Sequence, residues 1–488
     1  MINFSFDPAK GVGIVSGDKL EEIREAFSVK NEAAFFMRKR YGRFMPQRTY
    51  AITPTGRFDP GLYFEIRKYL NNNQYVGEVK TDESLLEVIV PVKKLQSDTR
   101  FSYDPIPLKL PLRDYQEEIV KKALSIGRGT IILATAGGKT LTAASLLTKL
   151  FLLYGSKFNC LYIVPDLGLV EQTSSDFSSY NVPFSVRKWT GSCELKNEAN
   201  VTVANLGILQ SKNTDLSWLE TIDVLIVDEV HKIRRGNEVN KILKKIQTPF
   251  RFGFTGTMPE SLLDQWNIIG KIGPVIYEKN SYELRLESYV SNVQIQIIEL
   301  IYKDDPFKDV VIFSSNLYRE EQRFLMRSEF RNAVISKIVC KLANNSLILV
   351  DHIEHGELLY KAITEQCPEK QCYFIRGDVE VAERDEIRQL MEKRTDIVVV
   401  AISRIFSTGI NIKNLHYIVF ACGGKAKIRT VQSIGRGLRL HKDKDKLIIF
   451  DIADNFKYGL AHMEKRRALY EKEKIKYSAK RICEAQES

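Results

Sequence analysis

Leu133-Ala134-Thr135-Ala136-Gly137-Gly138-Lys139-Thr140 closes the apolar run Thr130-Ile131-Ile132-Leu133, and Leu141 to Tyr154 then repeats apolar residues at helical spacing. The β-branched run predicts a buried strand. Strand, small-residue loop, Lys-Thr and helix is the layout that holds nucleotide phosphates. Gly137 and Gly138 let the backbone turn sharply, so that the N–H groups of the loop converge on phosphate oxygens at a helix N-terminus. Ala134, Thr135 and Ala136 complete that cradle. Lys139 is placed to neutralise the β- and γ-phosphates and the Thr140 hydroxyl to ligate Mg²⁺. The same letters fit a plain strand–turn–helix, so the remainder of the chain must decide.

At 488 residues the chain exceeds what one core organises, and three or four domains are expected. A hydrophobic content of 44% supports large cores, and 27% charged residues suit a soluble protein. The net charge of +11 favours a polyanionic partner. Seven cysteines are scattered without a CxxC pair, and Cys367 and Cys372 have no other ligand types nearby, so zinc is not expected; the odd count predicts reduced thiols. Ile2-Asn3-Phe4-Ser5-Phe6 alternates like a strand and not like a signal peptide, and no apolar run reaches membrane-spanning length. A cytoplasmic protein without a membrane partner is expected.

Residues 1–104 read as an α+β unit. Ile2 to Phe6, Gly13 to Val15, Thr49 to Ile52 and Leu86 to Val92 are predicted strands, with helices near Lys19–Phe27 and Pro60–Asn71. Within it Arg38, Lys39, Arg40, Tyr41, Arg43 and Phe44 interleave cations with rings, and Arg57 follows. Such a segment can neutralise phosphates and stack on exposed bases, or bury its rings and solvate its charges. Asp104-Pro105-Ile106-Pro107 is a predicted linker. Leu112-Arg113-Asp114-Tyr115-Gln116 opens the next helix; upstream of a phosphate loop, the Gln116 amide can pair both edges of adenine.

Strand–helix alternation follows. Val224-Leu225-Ile226-Val227 delivers Asp228-Glu229-Val230-His231 to its C-terminal end, where an α/β sheet places chemistry. Asp228 is placed to hold Mg²⁺ and Glu229 to orient or deprotonate a water. His231 offers a donor toward the next strand, Phe252-Gly253-Phe254-Thr255-Gly256-Thr257. A second α/β unit begins near Ser346; its helix carries His352 and His355, which read as a solvated face without the acidic partners of a metal motif. Ser407-Thr408-Gly409 and Gln432-Ser433-Ile434-Gly435-Arg436-Gly437-Leu438-Arg439 come last. Arg436 and Arg439, three apart on a predicted helix, share a face suited to a γ-phosphate.

Taken in order, these segments resemble the superfamily 2 (DExH-box) helicases over roughly two-thirds of the chain. A closer resemblance is to the UvsW-type phage recombination helicases. It rests on Arg40-Tyr41-Gly42, Gly56-Arg57, Ile66-Arg67-Lys68-Tyr69 and the run Ile405 to His416. The resemblance implies an α/β architecture: two tandem RecA-like domains with parallel sheets, a small α+β domain before them and a short helical tail after. The expected boundaries are 1–104, 105–276, 277–455 and 456–488. It implies ATP and Mg²⁺ as cofactors. Lys139, Asp228, Glu229, Arg436 and Arg439 would be catalytic. Arg113, Gln116, Ala134 to Thr140, Gly409 and Gln432 would bind nucleotide. It also implies a helicase acting on branched or forked DNA, in Holliday-junction migration, fork regression and dissociation of D-loops and RNA–DNA hybrids. A duplex-DNA translocase subunit, an RNA helicase and a catalytically silent nucleic-acid scaffold are the competing readings. Ala136, where the family usually has Gly, is the one departure in the loop.

Overall fold

The computed structural model describes residues 1–31, 46–91, 101–191, 198–211, 216–236, 238–246, 248–287, 289, 291–307, 314–376, 381–403, 412, 414–421 and 446–484. Two compact units divide the chain: Met1–Ala134 with Gly138–Lys279, and Asn280–Ser488 with Thr135–Gly137.

The first unit holds two layers of different origin. Its N-terminal part is a four-stranded sheet in the order Arg57–Phe58, Val12–Gly17, Ile2–Asp7, Val79–Thr81. Ile2–Asp7 runs antiparallel to Val12–Gly17 and parallel to Val79–Thr81. Alternation puts Ile2, Phe4 and Val15 on one face, where they pack with Ile23, Ile66, Leu70, Leu85 and Ile89. Leu86 to Val92 is not the strand that its β-branched letters predict: Glu83–Ile89 is a helix. Leu85 and Ile89, one helical turn apart, are both fully buried, so tertiary packing of an i, i+4 pair outweighs β-propensity. A separate hairpin pairs Ser28–Lys30 with Arg48–Tyr50, so residues 32–45 connect its two strands.

The larger sheet of this unit has seven strands, all parallel. Its order is Val275–Lys279, Arg128–Leu133, Phe250–Thr255, Val224–Asp228, Cys160–Val164, Val201–Asn205, Val186–Trp189. Parallel strands covered on both faces need continuous apolar runs, and Thr130 to Leu133, Cys160 to Val164 and Val224 to Val227 supply them. The edge strands Val186–Trp189 and Val275–Lys279 have mixed polarity and give no such signal.

The N-terminal part is joined to this sheet by the helix Leu262–Lys271. Ile269 belongs to the N-terminal core, and Phe27 meets the Trp266 ring at 5.2 Å. Two buried cations, Arg128 and Lys271, and the half-buried Arg251 gather at the seam. The Arg128 guanidinium donates to the carbonyls of Ile272, Val88 and Lys271. Arg251 donates to the carbonyls of Thr248, Leu243 and Lys271. Lys271 pairs with Asp59.

The second unit is built on another all-parallel seven-stranded sheet, ordered Gln371–Ile375, Ile397–Ile402, Ser346–Val350, Tyr417–Phe420, Lys446–Asp454, Asn292–Ile301, Lys476–Cys483. The predicted C-terminal helix is Lys457–Lys472, capped by Glu321, whose carboxylate accepts from the N–H groups of Tyr458 and Gly459. Beyond it Lys476–Cys483 adds an edge strand that its Lys- and Arg-rich letters hide. His355 is not on a solvated face. It is buried, with Nε2 3.3 Å from Arg331 Nη1, while Arg331 pairs with Asp454 at 3.0 Å. Burial and the neighbouring guanidinium hold His355 well below the usual histidine range, so it is neutral. Cys340 and Cys367 are joined as a disulfide, in contrast to the reduced thiols expected of that pair.

Asp59 partners a Lys271 ammonium that is 5% exposed. Asp59→Asn therefore leaves a nearly buried cation unpaired. Stability is expected to fall by about 2 kcal/mol, with about half recovered in Asp59→Asn/Lys271→Met; chemical denaturation of the full chain measures both.

Candidate active site

Three neighbouring strands of the first unit bring the predicted residues to one edge. Ile131 and Asp228 both pair with Phe254, so the start of the phosphate loop and the acidic pair flank the strand that ends at Thr255. At about 4.8 Å per strand step, the loop strand and the box strand lie about 10 Å apart, room for a phosphate between them.

The helix Lys139–Tyr154 starts at the loop, with Gly138 as its cap at φ +81°. The left-handed backbone favours glycine at 138, and a Cβ there would meet Gln116 Nε2 at 2.2 Å and displace the end of that side chain. Ala136 is also left-handed, at φ +67°, where an L side chain is strained. No acidic residue occupies the first turn of the helix, so its N-terminal dipole is left to an anion. Gln116 is 2% exposed and both ends of its amide are engaged within the fold: Oε1 accepts from the Arg113 N–H at 2.9 Å, and Nε2 lies 3.5 Å from the Gly138 carbonyl. The amide thus ties the start of the Asp114–Ile126 helix to the loop.

The strand Val224–Asp228 is wholly buried and ends in two adjacent carboxylates. Burial and the neighbouring Glu229 raise the Asp228 carboxyl to about 6. Burial also acts upward on Glu229, but the Lys139 ammonium and His231 outweigh it and hold that carboxyl at about 2. Lys139 Nζ stands 3.5 Å from Glu229 Oε1, and His231 Nδ1 stands 3.2 Å from Oε2. His231 Nδ1 is also 2.9 Å from Thr255 Oγ1. Because the Thr255 hydroxyl donates to the Thr257 carbonyl at 2.8 Å, Nδ1 must carry the proton that joins it to Thr255. Glu229 itself sits at φ +49°, a left-handed backbone that a carboxylate residue adopts only where its surroundings enforce it. The Asp228 carboxylate accepts from the Glu229 N–H at 2.8 Å, and Thr140 is half-buried in the first turn of the helix after the loop.

Thr140 and Asp228 offer one hydroxyl and one carboxylate, a donor set that suits Mg²⁺ completed by water and phosphate oxygens. Among the described residues no group of three or more His, Cys, Asp or Glu side chains could hold a metal unaided. Gly409, Gln432, Arg436 and Arg439 lie outside the described residues, as do Arg38, Lys39, Arg40, Tyr41, Arg43 and Phe44. Arg57 lies on the small N-terminal sheet, opposite Ile14, with its N–H on Thr53 Oγ1 at 2.9 Å. In the same sheet Cys160–Val164 runs through Pro165 to Asp166, which caps the helix Leu167–Tyr180 through the Leu169 N–H.

Residues 109–260 match the family described as type III restriction enzyme, res subunit, and residues 331–441 match the helicase conserved C-terminal domain. With the two parallel sheets and the loop–box geometry, these make the chain an ATP-dependent superfamily 2 helicase, of the kind that resembles UvsW. It is 27% identical over 460 residues to the ATP-dependent DNA helicase uvsW of Enterobacteria phage T4, covering 89% of this chain and 86% of that protein. It is 24% identical over 427 residues to the DNA 3'-5' translocase XPB2 of Sulfurisphaera tokodaii, covering 79% of this chain and 88% of that one. Among solved structures, the type ISP restriction-modification enzyme LlaBIII bound to DNA shares the fold at a TM-score of 0.56 and 15% identity, covering 86% of this chain and 34% of that chain. Among the described residues no helix is long and apolar enough to cross a membrane.

Two outcomes follow from the geometry. Ala136→Gly relieves a left-handed alanine and is expected to raise stability by about 0.5–1 kcal/mol, read from denaturant midpoints. For Asp228 the folded value exceeds the ordinary 3.8, so its contribution to stability is present below about pH 4 and lost as pH rises through about 6. Without nucleotide or Mg²⁺, Asp228→Asn should therefore be about 2 kcal/mol more stable than the native protein at pH 7 and no more stable at pH 4.

Proposed function

We propose that this helicase acts on DNA and remodels branched intermediates of recombination, replication or repair, in the host cytoplasm if it is phage-encoded. The observation that carries the reading is the extent of the similarity to the phage T4 helicase. It runs over 89% of the chain, more than residues 109–488 can supply, and so reaches into the residues that precede the two motor domains. We assign 1–104 to a DNA-binding domain, 105–276 and 277–455 to the two RecA-like domains, and 456–488 to a basic C-terminal extension. Arg38, Lys39, Arg40, Tyr41, Arg43, Phe44 and Arg57 are the proposed DNA contacts, the cations on phosphates and the rings on unpaired bases.

In the proposed mechanism the loop Ala134 to Gly138 cradles the phosphates, Lys139 leaves Glu229 to neutralise them, and Thr140 and Asp228 are the residues that would hold Mg²⁺. When bound, the metal would neutralise phosphate charge. Lys139 depresses the Glu229 carboxyl in the empty site. Its transfer to the phosphates removes that cation and makes Glu229 a better acceptor for the proton of the attacking water. His231 holds Glu229 from the Thr255 side. Arg436 and Arg439 stabilise the transition-state charge, Gly409 and Gln432 border the nucleotide from the second domain, and Arg113 with Gln116 serves the adenine end. For Gln116 to read adenine, Nε2 must give up its long contact with Gly138.

The test is the ATPase rate with linear duplex, single strand, four-way junction, fork and RNA matched in length. Junction and fork are expected to stimulate most. Lys139→Ala and Glu229→Gln are expected to lower kcat at least about 100-fold while leaving DNA affinity within about threefold. Normal turnover in either variant overturns the site assignment. The names of the XPB2 translocase and of the DNA-bound restriction enzyme favour a second reading, duplex translocation without strand separation. Equal stimulation by plain duplex would select it, and preference for RNA would replace DNA as the substrate.

A further inference from the structure

Away from the nucleotide site, the second unit brings two cysteines together at one end of a helix pair. Cys340 is the last residue of the helix Glu329–Cys340, and Cys367 is the cap that follows the helix Ile353–Gln366. The two helices run side by side in the same direction. Their N-terminal ends are tied by His355, whose Nε2 lies 3.3 Å from Arg331 Nη1 and 3.1 Å from Asn332 Oδ1. At their C-terminal ends the disulfide joins Cys340 to Cys367, with Cα atoms 5.8 Å apart.

A second fastening at that end does not depend on the sulfurs. The half-buried Lys370 ammonium donates to the carbonyls of Val339, at 3.0 Å, and Leu342, on either side of Cys340. The Lys370 N–H donates to the Cys367 carbonyl at 3.0 Å. Lys370 therefore keeps the two cysteines within bonding range when the bond between them is open, and each thiol meets the other at high effective concentration. Both cysteines stand at helix C-termini, whose dipole opposes a thiolate, and the ammonium works against that dipole. Exposure divides their roles: Cys340 is half-buried, whereas Cys367 is fully buried. The next cysteine, Cys372, is kept out of the exchange, because burial pushes its thiol up to about 12 and leaves it protonated.

We propose that Cys340 and Cys367 form a reversible redox site that exchanges with low-molecular-weight disulfides and sets the stability of the second unit. Cys340 is the entry sulfur. Its thiol loses a proton to solvent, and the thiolate attacks one sulfur of a reagent RSSR. The reagent's S–S bond breaks, RS⁻ leaves and takes up a proton, and a mixed disulfide stands at Cys340. Cys367 then loses its proton and attacks Cys340 Sγ, the bond to R breaks, and a second RSH leaves. Two electrons pass from the two thiols to RSSR, and the reverse sequence with two RSH reopens the bond. In a reducing compartment the pair stands open, and oxidising conditions close it. Closure links positions 27 apart and restricts the unfolded chain, so stability rises while the folded helices stay where Lys370 and His355 hold them.

The experiment equilibrates the full chain in mixtures of reduced and oxidised glutathione, quenches with acid, alkylates and maps the peptides by mass. The Cys340–Cys367 bond is expected to open and close as one two-electron step, the same from either direction, while Cys372 stays a thiol throughout. In Cys367→Ala, oxidised glutathione is expected to leave one adduct at Cys340. In Cys340→Ala, the adduct at Cys367 is expected to form at least about tenfold more slowly. Adding Lys370→Met to Cys367→Ala should move adduct formation at Cys340 to higher pH. The oxidised native protein is expected to unfold about 5–10 °C above the reduced one, and Cys340→Ala/Cys367→Ala to show no such difference. The native titration needs no variant and stands where a variant fails to fold. A bond that stays closed in excess reduced glutathione overturns the proposal, as do thiols that never join in excess oxidised glutathione. A redox-dependent melting difference that persists in the double variant overturns the stability role, and equal adduct rates at the two cysteines overturn the assigned order.

Discussion

Two neighbouring carboxylates are held out of water at the end of an apolar strand, and the first motor unit is arranged around that cost. A buried carboxylate is expensive unless it is paired, and two side by side repel. The structure divides the burden unequally. Glu229 receives Lys139 and His231 and stays ionised at about 2, whereas Asp228 receives a single backbone N–H and rises to about 6. Asp228 is therefore the group that gains most from an incoming cation, and Glu229 is the group whose basicity is released when its ammonium leaves. The left-handed backbone of Glu229 is the conformational cost of aiming these two chains apart. Strand order does the rest, because only a neighbour of both the loop strand and the box strand can carry Thr255 to His231.

What the chain's letters disclosed follows from the same physics. A parallel strand covered on both faces reads as an unbroken apolar run, and its loop projects at the C-terminal end, so Thr130 to Thr140 and Val224 to His231 are legible as elements and as chemistry. Edge strands have no such requirement. Lys476–Cys483 and Val186–Trp189 carry charge because only part of each is covered, and they are visible only when their neighbours are. The helix Glu83–Ile89 was misread because a short apolar run has no decisive period, and Leu85 with Ile89 shows its register only once the N-terminal core is known.

Polar side chains are the harder case, since their fate depends on partners distant in sequence. His355 reads as a surface residue until Arg331, 24 positions earlier, is found beside it, buried with Asp454. Gln116 reads as an adenine contact, yet its amide bonds to Arg113 and approaches Gly138. The glycine that takes the loop's left-handed turn also lies against the Gln116 amide, a neighbour that a linear motif does not record.

The seam between the N-terminal part and the seven-stranded sheet shows how an appended domain becomes part of a motor. The buried Arg128 and the half-buried Arg251 are cations satisfied largely by carbonyl oxygens: for Arg128 those of Val88, Lys271 and Ile272, and for Arg251 those of Leu243, Thr248 and Lys271. Of these carbonyls only that of Val88 belongs to the N-terminal part, so Arg128 bridges the two parts and Arg251 braces the sheet side of the seam. Asp59 adds a carboxylate for Lys271, and Gly61 and Gly270 remove the side chains that would hold the surfaces apart. The charge that is costly to bury thus specifies orientation. The helix Leu262–Lys271 is thus held on three sides: by Asp59 through Lys271, by the segment that follows Thr255 through Gln265, and by Phe27 through Trp266.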